Sequence, residues 1–141
     1  LDNSVSTYGV VSQRELRHDY LQANAGLPTA NAEDDAGVLV IPANSIIVAA
    51  YYQVGSEAYT SGGAATLQLG VQGTDGSTVD ADGIDSIAVA ALTANSSTVC
   101  DGALVGASVG TVDVQISIDD ATATFTAGSG RLIVEYIVPY V

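Results

Sequence analysis

Residues 110–118 alternate without a break: Val112, Val114, Ile116 and Ile118 fall on one side, and Thr111, Asp113, Gln115 and Ser117 on the other. Only an extended chain sends successive side chains to opposite faces, so this segment is a strand with one dry face and one wet face. The same period returns in residues 66–72, with Leu67, Leu69 and Val71 inward and Thr66, Gln68 and Gln72 outward. It returns again in residues 131–138, where Leu132, Val134, Tyr136 and Val138 share a face. A hairpin through Ala127-Gly128-Ser129-Gly130 is expected to join residues 122–126 to that last strand. Residues 45–54 form the longest expected strand. Ile46, Val48, Ala50, Tyr52 and Val54 lie on one side of it, and Ile47, Ala49 and Tyr51 make the other side apolar too. A strand of that kind wants cover on both faces.

Further short strands are expected at residues 4–11, at 37–41 up to Pro42, and at 97–105. Between them lie a glycine-rich loop at 55–65 and an acidic turn region at 73–83. Residues 84–92 fit a short helix, since Ile84, Ile87, Ala88 and Ala91 make a stripe and Asp82 is placed to cap it. Residues 12–25 read as a polar arm carrying Arg14 and Arg17, and residues 27–36, with Glu33, Asp34 and Asp35 together, as an exposed loop. Seven or eight short strands with at most one helix indicate an all-β antiparallel sandwich or jelly roll with an extended N-terminal arm. No linker divides the chain. Residues 1–36 hold the first strand, arm and acidic loop, residues 37–141 hold the sandwich, and 141 residues suffice for one core. That core must be built from Ala, Val, Ile and Leu, because there is one Phe and no Trp or Met. The chain begins at Leu1 rather than Met, which reads as a start trimmed or omitted.

Charge narrows the function classes. Sixteen acidic residues face three basic ones, Arg14, Arg17 and Arg131, with no Lys, for a formal net charge of −13. Such a surface repels phosphate backbones and anionic lipids, so nucleic acid and membrane are not expected partners. Asp outnumbers Glu twelve to four, a surface suited to high salt, where screening shortens self-repulsion. No run approaches the roughly 18 apolar residues of a membrane span.

Catalytic chemistry finds little to work with. His18 is the only histidine, and its neighbour Asp19 is badly placed to orient it, so it reads as a solvated side chain of the arm. Cys100 is the only cysteine, which excludes an intrachain disulfide and reads as a small buried hydrophobe. One His and one Cys cannot make the usual zinc site. The glycines at 70, 73 and 76 do not form a dinucleotide fingerprint. Asp75, Asp80, Asp82 and Asp85 form the one candidate calcium cluster, although their spacing is not that of an EF-hand and a solvated acidic loop explains them as well. Asn95-Ser96-Ser97 is formally a glycosylation acceptor, of meaning only in a secreted protein. No enzyme and no cofactor are expected.

From Ile41-Pro42-Ala43-Asn44-Ser45-Ile46-Ile47-Val48 onward, the chain resembles the head decoration, cement and head-fibre proteins of tailed viruses. Ala65-Thr66-Leu67-Gln68-Leu69-Gly70-Val71 is similar to their second strand, and Thr126-Ala127-Gly128 with Gly130-Arg131-Leu132-Ile133-Val134-Glu135-Tyr136 to their closing hairpin. The likeness spans about residues 37–138 and leaves residues 12–25 unmatched. It implies a jelly-roll-like sandwich, often trimeric, located on the outer surface of a virion and bound to the major capsid protein and other virion proteins. The missing Lys and heavy acidity depart from that family and leave host and salt environment open.

A secreted carbohydrate-binding or adhesion module is the competing reading, with Tyr51, Tyr52 and Tyr59 as the cluster that would stack sugars. Homo-oligomerisation is expected from the two apolar faces of residues 45–54, with Ile47, Tyr51 and Tyr52 as interface candidates. Arg14 and Arg17 are candidates for docking on an acidic neighbour. Local pairing with Glu15 and Asp19 explains them equally well.

Overall fold

The computed structural model describes residues 11–26 and 40–138, so the strand expected at 4–11, apart from Val11, and the loop expected at 27–36 lie outside the described residues. In chain order the elements are β1 (Val11–Asp19), α1 (Tyr20–Ala25), β2 (Val40–Ile41), β3 (Ile46–Val54), β4 (Thr60–Ser61) and β5 (Thr66–Gly73). After them come β6 (Thr78–Ala88), β7 (Ser97–Val99), β8 (Val114–Ala121), β9 (Phe125–Ala127) and β10 (Ser129–Ile137). Two four-stranded antiparallel sheets, β1-β10-β3-β7 and β2-β8-β5-β6, face each other, and β4-β9 makes a small third ribbon. The expected antiparallel β-sandwich is therefore present. Its jelly-roll character lies in the crossings: β3 leads to β5 and β6 leads to β7 across the core, and β8 and β10 return to lie between earlier strands.

The alternating segments do what their period demands. Leu67, Leu69 and Val71 of β5, Val114, Ile116 and Ile118 of β8, and Leu132, Val134 and Tyr136 of β10 are all buried between the sheets. Each such side chain contributes about 1.5–3 kcal/mol by leaving water. Val112, expected inside, stays exposed because β8 begins only at Val114.

Three expectations are overturned. Residues 12–25 are no arm: β1 pairs over nine residues with β10, from Val11 opposite Ile137 to Asp19 opposite Ser129, and buries Leu16 and His18. Tyr20–Ala25 then forms a one-turn helix. Asp19 caps it, its Oδ1 accepting from the Gln22 amide while Gln22 Oε1 accepts from the Asp19 amide. Its Asn24 exchanges two hydrogen bonds of 2.8 Å with the backbone of Phe125, and Ala23 is buried beneath. Residues 84–92 are strand rather than helix, continuing β6 to Ala88 before a single 3-10 turn at Val89–Ala91. Opposite Gly70 the β6 backbone bulges, and its Asp80 carbonyl and Ala81 backbone come so close that a Cβ at position 70 has no room. That bulge puts Ile84 and Ile87 both inside, three apart, which imitates a helical stripe. Finally, β9 and β10 do not form a hairpin. The chain bends at Gly128, and β9 pairs with β4 while β10 joins β1 and β3.

Candidate functional site

The burial of His18 is the least expected feature of the interior. It is 4% exposed, on the inward face of β1 between Tyr52 of β3 and Tyr59. Tyr52 Oη lies 2.9 Å from His18 Nε2 and 2.8 Å from Tyr59 Oη, and His18 Nδ1 lies 3.3 Å from the Asp19 carbonyl. Tyr59 Oη also lies 3.4 Å from Nδ1, and one proton arrangement that satisfies the group has Tyr59 donating to Tyr52, Tyr52 donating to Nε2, and Nδ1–H donating to the carbonyl. Every member is satisfied with His18 neutral. Burial accordingly pushes its pKa down to about 4, and burial raises Tyr52 far above the usual phenol range and Tyr59 to about 12. Asp19 hydrogen-bonds His18 through its backbone carbonyl, while its carboxylate caps α1. The geometry is that of a register lock and holds no Ser-His-Asp relay. Gly130 belongs to it, since a Cβ there would press on the Tyr52 hydroxyl and stand 2.7 Å from the Gln53 carbonyl.

On the outward face of the same sheet the arginines converge. Arg17 and Arg131 sit directly opposite each other on β1 and β10, a like-charge pairing that weakens a ladder unless compensated. Glu15 compensates, accepting from Arg17 Nε with Oε1 and from Arg131 Nη1 at 2.9 Å with Oε2. The Arg17 hydrogen bond, with help from Arg131, holds the Glu15 carboxyl below its ordinary range. Gln53 of β3 accepts from Arg131 Nε at 2.7 Å. Beside these side chains opens a cleft of about 650 Å³ that is also lined by Asp19, Gln22, Gly55, Ser129 and Gly130. Arg14 is apart from this group, its guanidinium 6.0 Å from the centre of the Tyr136 ring.

Apolar side chains on that face lie in two rows, separated by the row of Gln13, Glu135 and Ala49. Register places Val11, Ile137 and Ile46 in one row across three strands, and Ile133, Tyr51 and Val99 in another. Val99 is 73% exposed, and Val11 and Ile46 of the first row and the neighbouring Val48 are exposed as well. Exposed apolar side chains gathered on one face make it the candidate interaction surface. Of the interface candidates, Tyr51 is on this face, but Ile47 and Tyr52 are 0% and 1% exposed and belong to the core. The phase slips because Val48 is an extra residue in β3: Tyr136 pairs with Ile47 and Glu135 with Ala49. Burial of Tyr52 and Tyr59 also removes the tyrosine platform on which sugar stacking rested.

Of the calcium candidates only Asp80 and Asp82 have their carboxyl groups side by side. Asp75 is in a tight turn, bonded to the Ser77 amide and hydroxyl, while Asp80, Asp82 and Asp85 follow the extended β6. Among the described residues no group of three or more His, Cys, Asp or Glu side chains is placed to hold a metal ion. Cys100 is buried, and desolvation with Asp85 and Asp101 nearby pushes its thiol up to about 12.

The sequence contains a trace of the His18 lock: on either side of Arg17, Leu16 and His18 alternate with charged residues. The Arg17–Glu15–Arg131 group leaves none, because Arg131 arrives from 116 positions beyond Glu15. In sequence, the chain matches no family model and no curated protein. In structure it is similar to chains of three solved phage capsids. The capsid of Ralstonia phage GP4 gives a TM-score of 0.61 at 15% identity, covering 100% of this chain and 92% of that one. The acidic stable capsid structure of Helicobacter pylori bacteriophage KHP30 gives 0.58 at 12% identity, over 95% and 92% of the two chains. The capsid asymmetric unit of cyanophage Pam1 gives 0.51 at 18% identity, over 99% and 92%. At these identities the likeness establishes a shared fold.

Proposed function

We propose that this chain is a structural protein of a virus particle, a decoration or cement protein that sits on the outside of the shell and stabilises it. The observation that carries the reading is end-to-end likeness: nearly the whole of this chain aligns with nearly the whole of a chain in each of three phage capsids. A fold alone hosts many functions. The surface supports this one, because the outer face of β1-β10-β3-β7 carries the exposed apolar side chains Val11, Ile46, Val48 and Val99 and the half-buried Tyr51 and Ile133, which suits burial against copies of the chain or the major capsid protein. Assembly as a homotrimer is part of the proposal and rests on the resemblance of residues 37–138 to tailed-virus decoration proteins. The net charge of −13 favours a basic docking partner and disfavours nucleic acid and membrane.

A mass-spectrometric inventory of purified particles from the source virus, with rebinding of purified protein to particles that lack it, tests the reading. Saturable uptake with raised resistance of the shell to heat supports it. Absence from the particles and no uptake at any salt concentration refutes it. Truncating the N-terminus is the wrong probe, since removing residues 1–25 takes Leu16, His18 and Ala23 out of the core.

A further inference from the structure

We infer that the cleft beside Arg17 and Arg131 receives a single carboxylate, presented by a polypeptide segment that also carries a cation. This inference rests on the virion reading and names the chemistry of one contact with the shell. Gly55 and Gly130 line the cleft, and Gly55 donates to the Ser129 carbonyl at 2.8 Å, which holds the two strand ends together. Two of the three arginines in the chain stand at this opening. Among the described residues Arg17 commits only its Nε and Arg131 its Nε and one Nη, so three guanidinium nitrogens remain for a ligand. Glu15 and Gln53 fix these forks in place beforehand, which lowers the ordering cost of binding. Two guanidinium groups sharing one carboxylate keep a net positive charge, and Arg–carboxylate bidentate pairing is the geometry they suit.

The identity of the ligand follows from the long-range field. A molecule of net charge −13 opposes the approach of any polyanion, so neither a phosphate backbone nor an acidic run reaches this cleft easily. A segment whose carboxylate is balanced by a neighbouring cation approaches without that penalty. The cleft answers both charges, for Asp19 lines it as well, and among the described residues only its Oδ1 is engaged, in capping α1.

The test is a side-chain NMR titration of the full chain, in which only three arginine Nε–H signals exist and each can be followed. The probe is a capped hexapeptide with one aspartate between two lysines, compared with the same peptide carrying asparagine. Expected are saturable shifts at Arg17 and Arg131 with Arg14 unmoved, and affinity lower by about tenfold for the asparagine peptide and at least about fivefold for Arg17→Gln. The Arg17 side chain is 76% exposed, so that variant keeps the wild-type melting temperature and its loss of binding is not a loss of fold. Equal affinity for the two peptides, an unaffected Arg17→Gln variant, shifts centred on Arg14, or no saturation each overturns the inference. If particles take up the protein while the peptide fails, the cleft assignment falls and the virion reading stands. If the peptide binds as expected but the protein never enters particles, the virion reading falls and the cleft remains a carboxylate site.

Discussion

Acid should unlock β1 through His18. The imidazole is neutral in the fold, with a pKa pushed from the ordinary 6.5 down to about 4 by burial, whereas in the unfolded chain it titrates normally. Between those two values the unfolded state holds a proton that the native state lacks, so stability falls as pH falls from 6.5 and stops falling below about 4. At about 1.4 kcal/mol per pH unit, that interval amounts to about 3 kcal/mol, a large part of the stability of a domain this size. Asp80, Asp85 and Asp119, whose carboxyl pKa values burial raises, act in the opposite direction, as does relief of the net negative charge. The measurement is therefore a difference. Urea unfolding of wild type and His18→Gln is compared from pH 7 to pH 4, because glutamine still reaches Tyr52 but does not titrate. The wild type should lose about 3 kcal/mol relative to the variant across that range. Parallel stability curves, or an NMR titration of His18 with a midpoint near 6.5, would refute the account of a buried neutral lock.

Tyr52→Phe removes the hydroxyl between His18 Nε2 and Tyr59 Oη and should cost about 1–3 kcal/mol in urea unfolding, by leaving buried groups unpaired. Gly130→Ala should destabilise by more than about 2 kcal/mol, since its methyl meets the Tyr52 hydroxyl and the Gln53 carbonyl, while Gly62→Ala, with open space around it, should be near neutral in the same melt. Tyr51→Ala and Val99→Ser, on the outward face, should leave the monomer fold intact yet weaken self-association by about 2 kcal/mol if either is an anchor; sedimentation that is identical to wild type counts against this face as the interface.

Period-two alternation was enough to place β5, β8 and β10 and to name Leu67, Leu69, Val71, Ile116, Ile118, Leu132 and Val134 as core, because which side of a strand a residue takes is decided by its immediate neighbours. Composition likewise determined the aliphatic core, since that depends on sums over the chain. Tertiary structure alone decided the rest. Whether residues 11–19 hang free or pair depends on β10, more than a hundred positions away, and only that pairing turns His18 inward to Tyr52. The extra residue at Val48 flips which of Ile46 and Ile47, or of Tyr51 and Tyr52, is exposed, and a bulge is a property of two strands in register that neither shows by itself. The bulge of β6 over Gly70 imitates a helical spacing for the same reason. The arginine cleft is the extreme case: Glu15, Arg17, Gln53 and Arg131 come from three strands, and no local signal couples residues whose proximity is created by the sheet that joins them.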